Sequence, residues 1–375
     1  MELSNEDALR LNVLLNQDLQ AIRIDESKMI VYGLSDKGEA TISLNPNCRD
    51  EQYLKQVKEL ISTQVLGSPG GYPVFLRRWT RMGQTKDKSL DKLLQLGESE
   101  AVVAVVHAEG LTDDLARRAW WAMPCSENAR CMLRREAVVQ GEMGPVLADF
   151  LLEFLPFEEE PRDIVESVRL VLQPGLIDET TRADLWARGQ RKNAYLVGFL
   201  KTLPDALPEP AMPHPEFENL QPALDALIEQ GNPAARQLRR TLDAPGQAFL
   251  QTASQVMKKP ANQDVVVALL EAIEDYFADL HPGCEPCREI DTILDTARRC
   301  CEDPQQLPAP AREVIEQLPQ GRDLAESALV LAQMGVPVVN PIFAVTDSVG
   351  SVMRRKIEPV SNPFFEHAGR LLGQS

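Results

Sequence analysis

Residues 110–129 read GLTDDLARRAWWAMPCSENA, and residues 175–194 read GLIDETTRADLWARGQRKNA. At a constant offset of 65 residues the two stretches are identical at eight of twenty positions, where unrelated segments share roughly one or two. The identical pairs are Gly110/Gly175, Leu111/Leu176, Asp113/Asp178, Arg117/Arg182, Trp121/Trp186, Ala122/Ala187, Asn128/Asn193 and Ala129/Ala194. The match continues upstream through Val103/Val168 and Val106/Val171. This similarity indicates an internal repeat.

The residue types in the repeat are typical of a helical hairpin. Glycine ends one helix, aspartate caps or begins the next, and Trp and Ala place bulky and small side chains on a packing face. One repeat has room for about four helices, or two hairpins of HEAT-like length. Residues 222–242 contain a Gly-x-Pro-Ala-Ala corner that suggests another such hairpin. We therefore predict a mainly α protein built as a helical-repeat (HEAT-like) array.

A small α+β segment is predicted in front of the array. Residues 5–15 have apolar positions at helical spacing, and the three β-type runs LQAIRI, MIVYGL and EATISL follow. The turn signal at residues 35–38 predicts a hairpin between the last two runs. Residues 50–66 form a second amphipathic pattern. The segment thus has the predicted order αβββα.

Breaks in these patterns divide the chain into three predicted parts. The stretch GSPGGYP at 67–73 cannot continue a helix because it holds three glycines and two prolines. We expect an α+β domain over 1–66, a helical-repeat domain over 73–245 and a C-terminal helical region over 246–375. Residues 204–222 are rich in proline and predict an extended connector. The last forty residues are too apolar for a free tail, so we expect them to pack on the array.

Composition limits the functions that the chain can have. With 375 residues and 44% hydrophobic residues, it can bury a core without a disulfide or a metal. The net charge of -17 opposes binding to phosphate backbones, so nucleic acid is not an expected partner. No run is apolar enough to span a membrane, and the acidic N-terminus lacks the pattern of a signal peptide. We expect a cytoplasmic protein that does not insert into membranes.

Four of the seven cysteines and one of the four histidines lie in HPGCEPCREIDTILDTARRCC, residues 281–301. The odd cysteine count and the reducing cytoplasm argue against a disulfide framework. One interpretation is a zinc or iron–sulfur site whose ligands are His281, Cys284, Cys287 and Cys300. Otherwise no cofactor is expected.

Two other interpretations of this cluster stay open. Cys284 and Cys287 at a helix N-terminus would have a lowered thiol pKa, which suits a redox or sulfur-carrier pair. The cluster can also be structural, because an unbroken helix after Cys287 places Cys300 about 20 Å away along its axis.

All four tryptophans lie close to arginines, in FLRRWTRMG, LARRAWWAMP and RADLWARGQRK. Such interleaving can form a groove that stacks nucleic-acid bases, but it also occurs where Trp packs inside a helix pair and Arg stems cover the surface. The net charge favours the second interpretation. The candidate interaction surface consists of Arg77, Arg78, Trp79, Arg81, Arg117 and Arg182.

No catalytic set is recognisable in the sequence. The four histidines have no serine or cysteine partner at a recognisable nucleophile elbow, and we interpret them as packing or surface residues. The acidic runs, such as FEEEPRD, are typical of solvated helix faces. The chain is therefore expected to lack catalytic activity.

Five strings of the sequence resemble a known family. They are NPNCRDEQYL, LGSPGGYPVFLRRWTRMGQ, AVVAVVHAEGLTDDLARRAWWAMP, REAVVQGEMGPVLADFLLEFLPFEE and LWARGQRKNAYLVGFL. The family is DsrS, the sulfur reduction protein DsrS of sulfur-oxidising bacteria. The strings cover most of residues 1–205, so the cysteine cluster lies outside the resemblance. The resemblance implies a cytoplasmic protein encoded beside the dissimilatory sulfite reductase machinery that oxidises stored sulfur. It implies no catalytic residues.

These observations lead to two functional hypotheses. The first is a non-catalytic accessory or regulatory protein of dissimilatory sulfur oxidation that acts through protein contacts, with a partner from the sulfite reductase system, because stacked hairpins present extended surfaces. The alternative is a thiol-based sulfur-carrier or redox protein that uses Cys284 and Cys287.

Overall fold

A computed structural model describes residues 3–73, 90–283 and 287–374 of the chain. The chain is mainly helical, and its three strands within these ranges form a small sheet near the N-terminus. It contains two compact units, residues 1–156 and 157–375. Neither predicted domain boundary coincides with this division. The predicted three-part organisation stays a prediction.

The predicted αβββα order is confirmed. Helix α1 (Asn5–Leu15) is followed by strands β1 (Leu19–Asp25), β2 (Ile30–Ser35) and β3 (Gly38–Ser43), and then by helix α2 (Asp50–Leu66). The strands form an antiparallel sheet in the order β1-β2-β3. In its register Ser35 pairs with Gly38, which places a tight turn at the predicted position. Apolar side chains of both helices and of the sheet form one core beneath it.

A buried carboxylate anchors helix α1 to helix α2. The Tyr53 hydroxyl donates to Asp7 Oδ2 over 2.5 Å, and the Asn45 backbone N–H donates to the same oxygen over 2.7 Å. Both Asp7 and Tyr53 are fully buried. Burial by itself raises the pKa of Asp7, but these hydrogen bonds outweigh it and the net pKa is lowered. The carboxylate is therefore held in its charged form.

From residue 90 onward, the described part of the first unit is mainly helical. Its helices are α3 (Leu90–Leu94), α4 (Ser99–His107), α5 (Asp113–Ala122), α6 (Ser126–Met132), α7 (Glu136–Val139) and α8 (Met143–Phe154). Helices α3 and α5 pack against strand β1, so the sheet and the helices that follow it belong to one unit.

The second unit contains thirteen further α-helices within its described residues. They are α9 (Pro161–Val171), α10 (Glu179–Gly189), α11 (Ala194–Thr202), α12 (Phe217–Glu229), α13 (Pro233–Leu242), α14 (Ala244–Lys258), α15 (Gln263–Tyr276), α16 (Ile290–Glu302), α17 (Ala309–Gln317), α18 (Arg322–Gln333), α19 (Asn340–Phe343), α20 (Gly350–Lys356) and α21 (Glu358–Leu371). Helix α21 packs against α14 and α18, so the last part of the chain packs back on the helices as predicted.

The predicted corner in 222–242 is a turn between helices α12 and α13. Gly231 has a φ of 85°, which L side chains rarely adopt. The Asn232 side chain then accepts a hydrogen bond from the Ala235 N–H, and Pro233 occupies the first helical turn. The two helices pack against each other. This hairpin is confirmed.

The proline-rich connector ends earlier than predicted. Residues 203–216 are non-helical, but helix α12 begins at Phe217 and includes Pro222. Leu220, Leu224 and Leu227 of this helix are buried. The free energy gained by burying these leucines outweighs the loss of the backbone hydrogen bond that Pro222 cannot donate.

The aligned repeat segments each contain two helices joined by a short turn, α5 and α6 in the first unit and α10 and α11 in the second. Equivalent residues nevertheless make different contacts. The Asp178 carboxylate caps its own helix by accepting from the Thr181 N–H, whereas Thr112 provides this cap in α5. Asp113 instead accepts from two N–H groups of another helix. The helical-repeat architecture stays a prediction.

Candidate functional site

Two adjacent tryptophans of helix α5 connect different parts of the first unit. Because successive helical residues are about 100° apart, Trp121 faces the sheet while Trp120 faces helix α8. The Trp121 indole N–H donates to Glu39 Oε2 over 2.9 Å. The Arg23 guanidinium lies 4.5 Å from the Tyr32 ring centroid and 5.1 Å from that of Trp121. These cation–π contacts hold helix α5 on the sheet.

Trp120 begins a row of aromatic rings that we call the aromatic ladder: Trp120, Phe150 and Phe154. Trp120 and Phe150 meet edge to face with ring centroids 4.7 Å apart, and Phe150 stacks on Phe154 at 4.3 Å. The first two rings are half-buried, and Phe154 is 41% exposed. Val146, one turn before Phe150 and 47% exposed, extends the row. The ladder is a partly exposed apolar surface.

The Asp113 carboxylate fixes the two helices that form the ladder relative to each other. Oxygens of the Asp113 carboxylate accept from the backbone N–H groups of Glu142 and Met143, each over 3.0 Å, at the start of helix α8. Asp113 and Trp120 are seven residues apart and therefore lie on one face of helix α5. The neighbouring face of α8 is buried through Leu147 and Leu151. The ladder is thus built on rigid elements.

The ladder has an acidic edge. Asp149 and Glu153 are exposed, and each lies one residue before a ladder ring in the sequence of helix α8. Neither carboxylate has an ion-pair partner among the described residues. Their charges are therefore available to a binding partner of opposite sign.

Only part of the predicted Arg and Trp surface lies within the described residues. Arg77, Arg78, Trp79 and Arg81 fall outside them. The Arg117 guanidinium donates to Gln20 and Asp114, and that of Arg182 donates to Glu179. Arg117 and Arg182 belong to different compact units. Arg117 therefore joins helix α5 to strand β1, whereas Arg182 bonds within its own helix.

Trp186, which aligns with Trp121 in the repeat, is a packing residue. Its ring is buried and meets Phe199 edge to face with centroids 5.1 Å apart. This arrangement matches the interpretation in which Trp packs inside a helix pair. The sequence does not predict the surface ladder, because the rings come from two helices and no sequence signal shows which apolar residues are left uncovered.

A cleft of about 570 Å³ lies beside Arg23 and Tyr32 of the sheet. Its described lining includes Arg23, Asp25, Lys28 and Glu98, together with apolar residues, and contains neither cysteine nor histidine. The Ser27 hydroxyl and the Lys28 N–H hydrogen-bond Asp25 and lower its pKa to about 2. The Glu98 carboxylate accepts from the Tyr72 N–H. These carboxylates have structural hydrogen bonds, so the cleft offers little for acid–base catalysis.

The structure separates the described members of the thiol cluster. Cys287 is half-buried and lies three residues before helix α16, whereas Cys300 is buried near the other end of this helix. Ten helical residues between Ile290 and Cys300 correspond to about 15 Å of rise. His281 Nδ1 accepts from the Gly283 N–H over 3.1 Å. Cys287 and Cys300 are therefore separated by most of the length of helix α16, and the predicted metal site stays a prediction.

Cys284 lies outside the described residues, so the predicted pair of Cys284 and Cys287 stays a prediction. Within residues 3–73, 90–283 and 287–374, no group of three or more His, Cys, Asp or Glu residues is arranged to hold a metal ion. Burial raises the pKa of Cys301 to about 12 and also raises that of Cys131. These two thiols are poor candidates for nucleophiles.

Two histidines of the second unit are buried packing residues. His367 Nδ1 lies 3.2 Å from Ser327 Oγ. His214 Nδ1 accepts from the Glu216 N–H, and its Nε2 lies 3.3 Å from the Arg370 carbonyl oxygen. Burial lowers the pKa of both imidazoles. They tie helix α21 to its neighbours.

No helix in the described part of the chain combines the length and the apolar composition needed to cross a bilayer. Comparisons with protein-family models, curated proteins and solved structures gave no match. Of the features described above, the partly exposed aromatic ladder is the one that suggests a function, namely binding to another protein.

Proposed function

We propose that the chain is a non-catalytic accessory protein that binds a partner protein through the aromatic ladder. The observation that carries this proposal is the row of Trp120, Phe150 and Phe154 on two helices fixed by Asp113. Partly exposed aromatic rings on rigid elements are typical anchors of protein interfaces, because they bury a large apolar area at a small cost in conformational entropy.

The biological context of the proposal comes from the resemblance to the DsrS family. On this resemblance, we propose that the chain acts in the cytoplasm with a partner from the dissimilatory sulfite reductase system. A HEAT-like arrangement is part of the proposal, and the support for it is that both aligned repeat segments consist of two helices joined by a short turn.

The test is direct binding to purified proteins of the dissimilatory sulfite reductase system, measured by calorimetry. We expect one of them to bind the wild-type chain and Phe154→Ser to weaken binding about tenfold or more. Leu9→Ser is the matched control, because Leu9 is 66% exposed on helix α1 of the same unit and makes no ladder contact. It should leave the affinity unchanged.

Two results would contradict the proposal. If the wild-type chain binds none of these proteins, the assignment to sulfur oxidation is wrong. If Phe154→Ser and Leu9→Ser bind as tightly as the wild-type chain, the ladder is not the binding surface.

A second proposed function is sulfur transfer by Cys287 together with Cys284. The supporting observation is that Cys287 is only half-buried and lies just before the N-terminus of helix α16, so its thiol is partly accessible to a small sulfur donor. After incubation with polysulfide, the wild-type chain should carry a persulfide that Cys287→Ser lacks. Cys48→Ser is the control, since Cys48 is also half-buried. Equal loading of Cys287→Ser and the wild-type chain would exclude this function.

A further inference from the structure

Three exposed valines follow one another closely in the sequence of the other compact unit, between helices α19 and α21. Val345, Val349 and Val352 are 83%, 63% and 56% exposed. We call these three residues the valine patch. Burying three such side chains on a partner would remove a large apolar area from water. The patch therefore has the composition of a docking surface.

The valine patch has a basic edge. Arg354, Arg355 and Lys356 follow Val352 closely in the sequence, and the last two are exposed. Because residues three and four apart are neighbours on a helix, Arg355 and Lys356 lie next to Val352. The Lys356 ammonium donates to Thr346 and Ser348, while neither arginine has an ion-pair partner among the described residues. In a chain with a net charge of -17, such a basic group is unusual.

The chain itself carries a surface with the complementary properties. The aromatic ladder is apolar and is edged by the carboxylates of Asp149 and Glu153, whereas the valine patch is apolar and is edged by arginines. In the described part of the chain, none of these edge charges has an ion-pair partner. Opposite charges around matching apolar surfaces set the register and the specificity of an interface.

We propose that the valine patch of one copy of the chain binds the aromatic ladder of a second copy. Such a contact is head to tail, because it joins two different surfaces. The dimer then keeps one free ladder and one free patch, so association continues beyond the dimer until a ring closes. This inference rests on the proposed function in that it uses the same ladder, and it names a second copy as one of the ladder's partners.

The first experiment measures mass by light scattering or sedimentation. We expect the wild-type chain to exceed its monomer mass of 41.7 kDa as its concentration rises to about 100 µM. One variant carries Asp149→Lys and Glu153→Lys at the ladder edge, and another carries Arg354→Glu and Arg355→Glu at the patch edge. Each variant alone should stay monomeric, with its self-association weakened at least about tenfold.

Mixing the two variants provides the sharper test. The ladder variant keeps an intact patch and the patch variant keeps an intact ladder, so an equimolar mixture should regain association. The reversed edges of the two variants are also complementary to each other, so the mixture should grow beyond the heterodimer as the wild-type chain does. A single chain that carries all four charge reversals should regain self-association, because the signs on both edges are exchanged. A variant that fails to fold would be revealed by its circular dichroism, and Arg355→Ala then replaces the patch variant.

Several outcomes would overturn the inference. These are a wild-type chain that stays monomeric at every concentration, a mixture that stays monomeric, or a single variant that still associates. Binding of the patch to anionic vesicles or to another acidic protein without self-association would overturn it as well. The patch variant also separates this inference from the proposed function, since it leaves the ladder intact and should bind the sulfite reductase partner as the wild-type chain does.

Discussion

The indole of Trp120 stands edge to face against the ring of Phe150, with centroids 4.7 Å apart and planes inclined by 79°. This geometry places the positive ring edge on the negative ring face and is favoured over a face-to-face sandwich. One residue further, Trp121 makes an equally specific contact with the sheet through Glu39. Helix α5 therefore links the sheet of the first unit to the helix that carries the ladder.

The two aligned tryptophans of the repeat should differ in their contribution to stability. Trp186 is buried against Phe199, so Trp186→Ala leaves a cavity and should lower the free energy of unfolding by about 3–5 kcal/mol. Trp121 is half-buried and loses a cation–π contact and one hydrogen bond, so Trp121→Ala should cost about half as much. Urea unfolding of both variants measures the difference. Equal losses of unfolding free energy would mean that Trp121 and Trp186 contribute equally to stability.

Much of the local structure is predictable from the sequence. Helix α2 occupies the predicted residues 50–66, and the turn at Ser35 to Gly38 and the corner at Gly231 lie where the residue types require them. In each case the signal is local: an amphipathic period, a turn-forming residue or a cap. Signals of this kind act within a few residues and need no tertiary contact.

The ladder and the end of the connector are not predictable in this way, because both depend on tertiary packing. Trp120 and Phe150 are thirty residues apart, and their contact requires helix α8 to be held by Asp113. Pro222 suggests an extended chain, yet the buried leucines around it favour a helix. Cys287 and Cys300 lie on either side of most of helix α16, which is continuous over Ile290–Glu302, and the predicted metal site stays a prediction.

The hydroxyl of Tyr53 should stabilise the first unit by donating a hydrogen bond to the buried Asp7 carboxylate. Tyr53→Phe leaves a buried carboxylate with one hydrogen bond fewer and should lower the free energy of unfolding by about 1–3 kcal/mol. Tyr32→Phe is the matched control, because Tyr32 lies in the same unit and its ring contact with Arg23 does not need the hydroxyl. Its cost should stay below about 0.5 kcal/mol. Similar costs for the two variants would mean that the Tyr53 hydroxyl contributes little.

The Asp7–Tyr53 pair should make the stability of the first unit fall at acidic pH. The pKa of Asp7 is lowered in the folded chain, so the unfolded chain binds more protons once the pH falls below the ordinary value of 3.8. The stabilisation is complete above that pH and is lost as the pH falls through the lower folded value. Acid unfolding of Tyr53→Phe should therefore begin at a higher pH than that of Tyr32→Phe.

The six cysteines within the described ranges should fall into two classes of reactivity towards Ellman's reagent. Cys48, Cys125 and Cys287 are half-buried and should react first, while Cys131, Cys300 and Cys301 are buried and should react only on unfolding. With a pKa of about 12, the Cys301 thiol is ionised in only about one molecule in 10⁴ at pH 8. Cys287→Ser should remove one equivalent from the fast phase, and Cys300→Ala should remove none. A fast phase that shrinks in Cys300→Ala would show that helix α16 opens readily.

His367 should make the second unit sensitive to mild acid. Burial, assisted by the positive charge of Arg370 and opposed by Glu366, lowers the pKa of His367 from 6.5 to about 4. Between these values the unfolded chain binds a proton that the folded chain does not, so stability falls as the pH falls from 6.5 towards 4. Integrated over this window, the loss is about 3 kcal/mol. Above pH 6.5 the imidazole is neutral in both states and has no effect.

The measurement is the free energy of urea unfolding between pH 7.5 and pH 4.5 for the wild-type chain, His367→Asn and His107→Asn. His367→Asn should lower stability at pH 7.5, because it disturbs the contact with Ser327, but its stability should depend less on pH than that of the wild-type chain. His107 is exposed on helix α4, so His107→Asn should keep the wild-type slope. If all three slopes agree, the His367 imidazole reaches water in the folded chain, and helix α21 is held more loosely than its burial indicates.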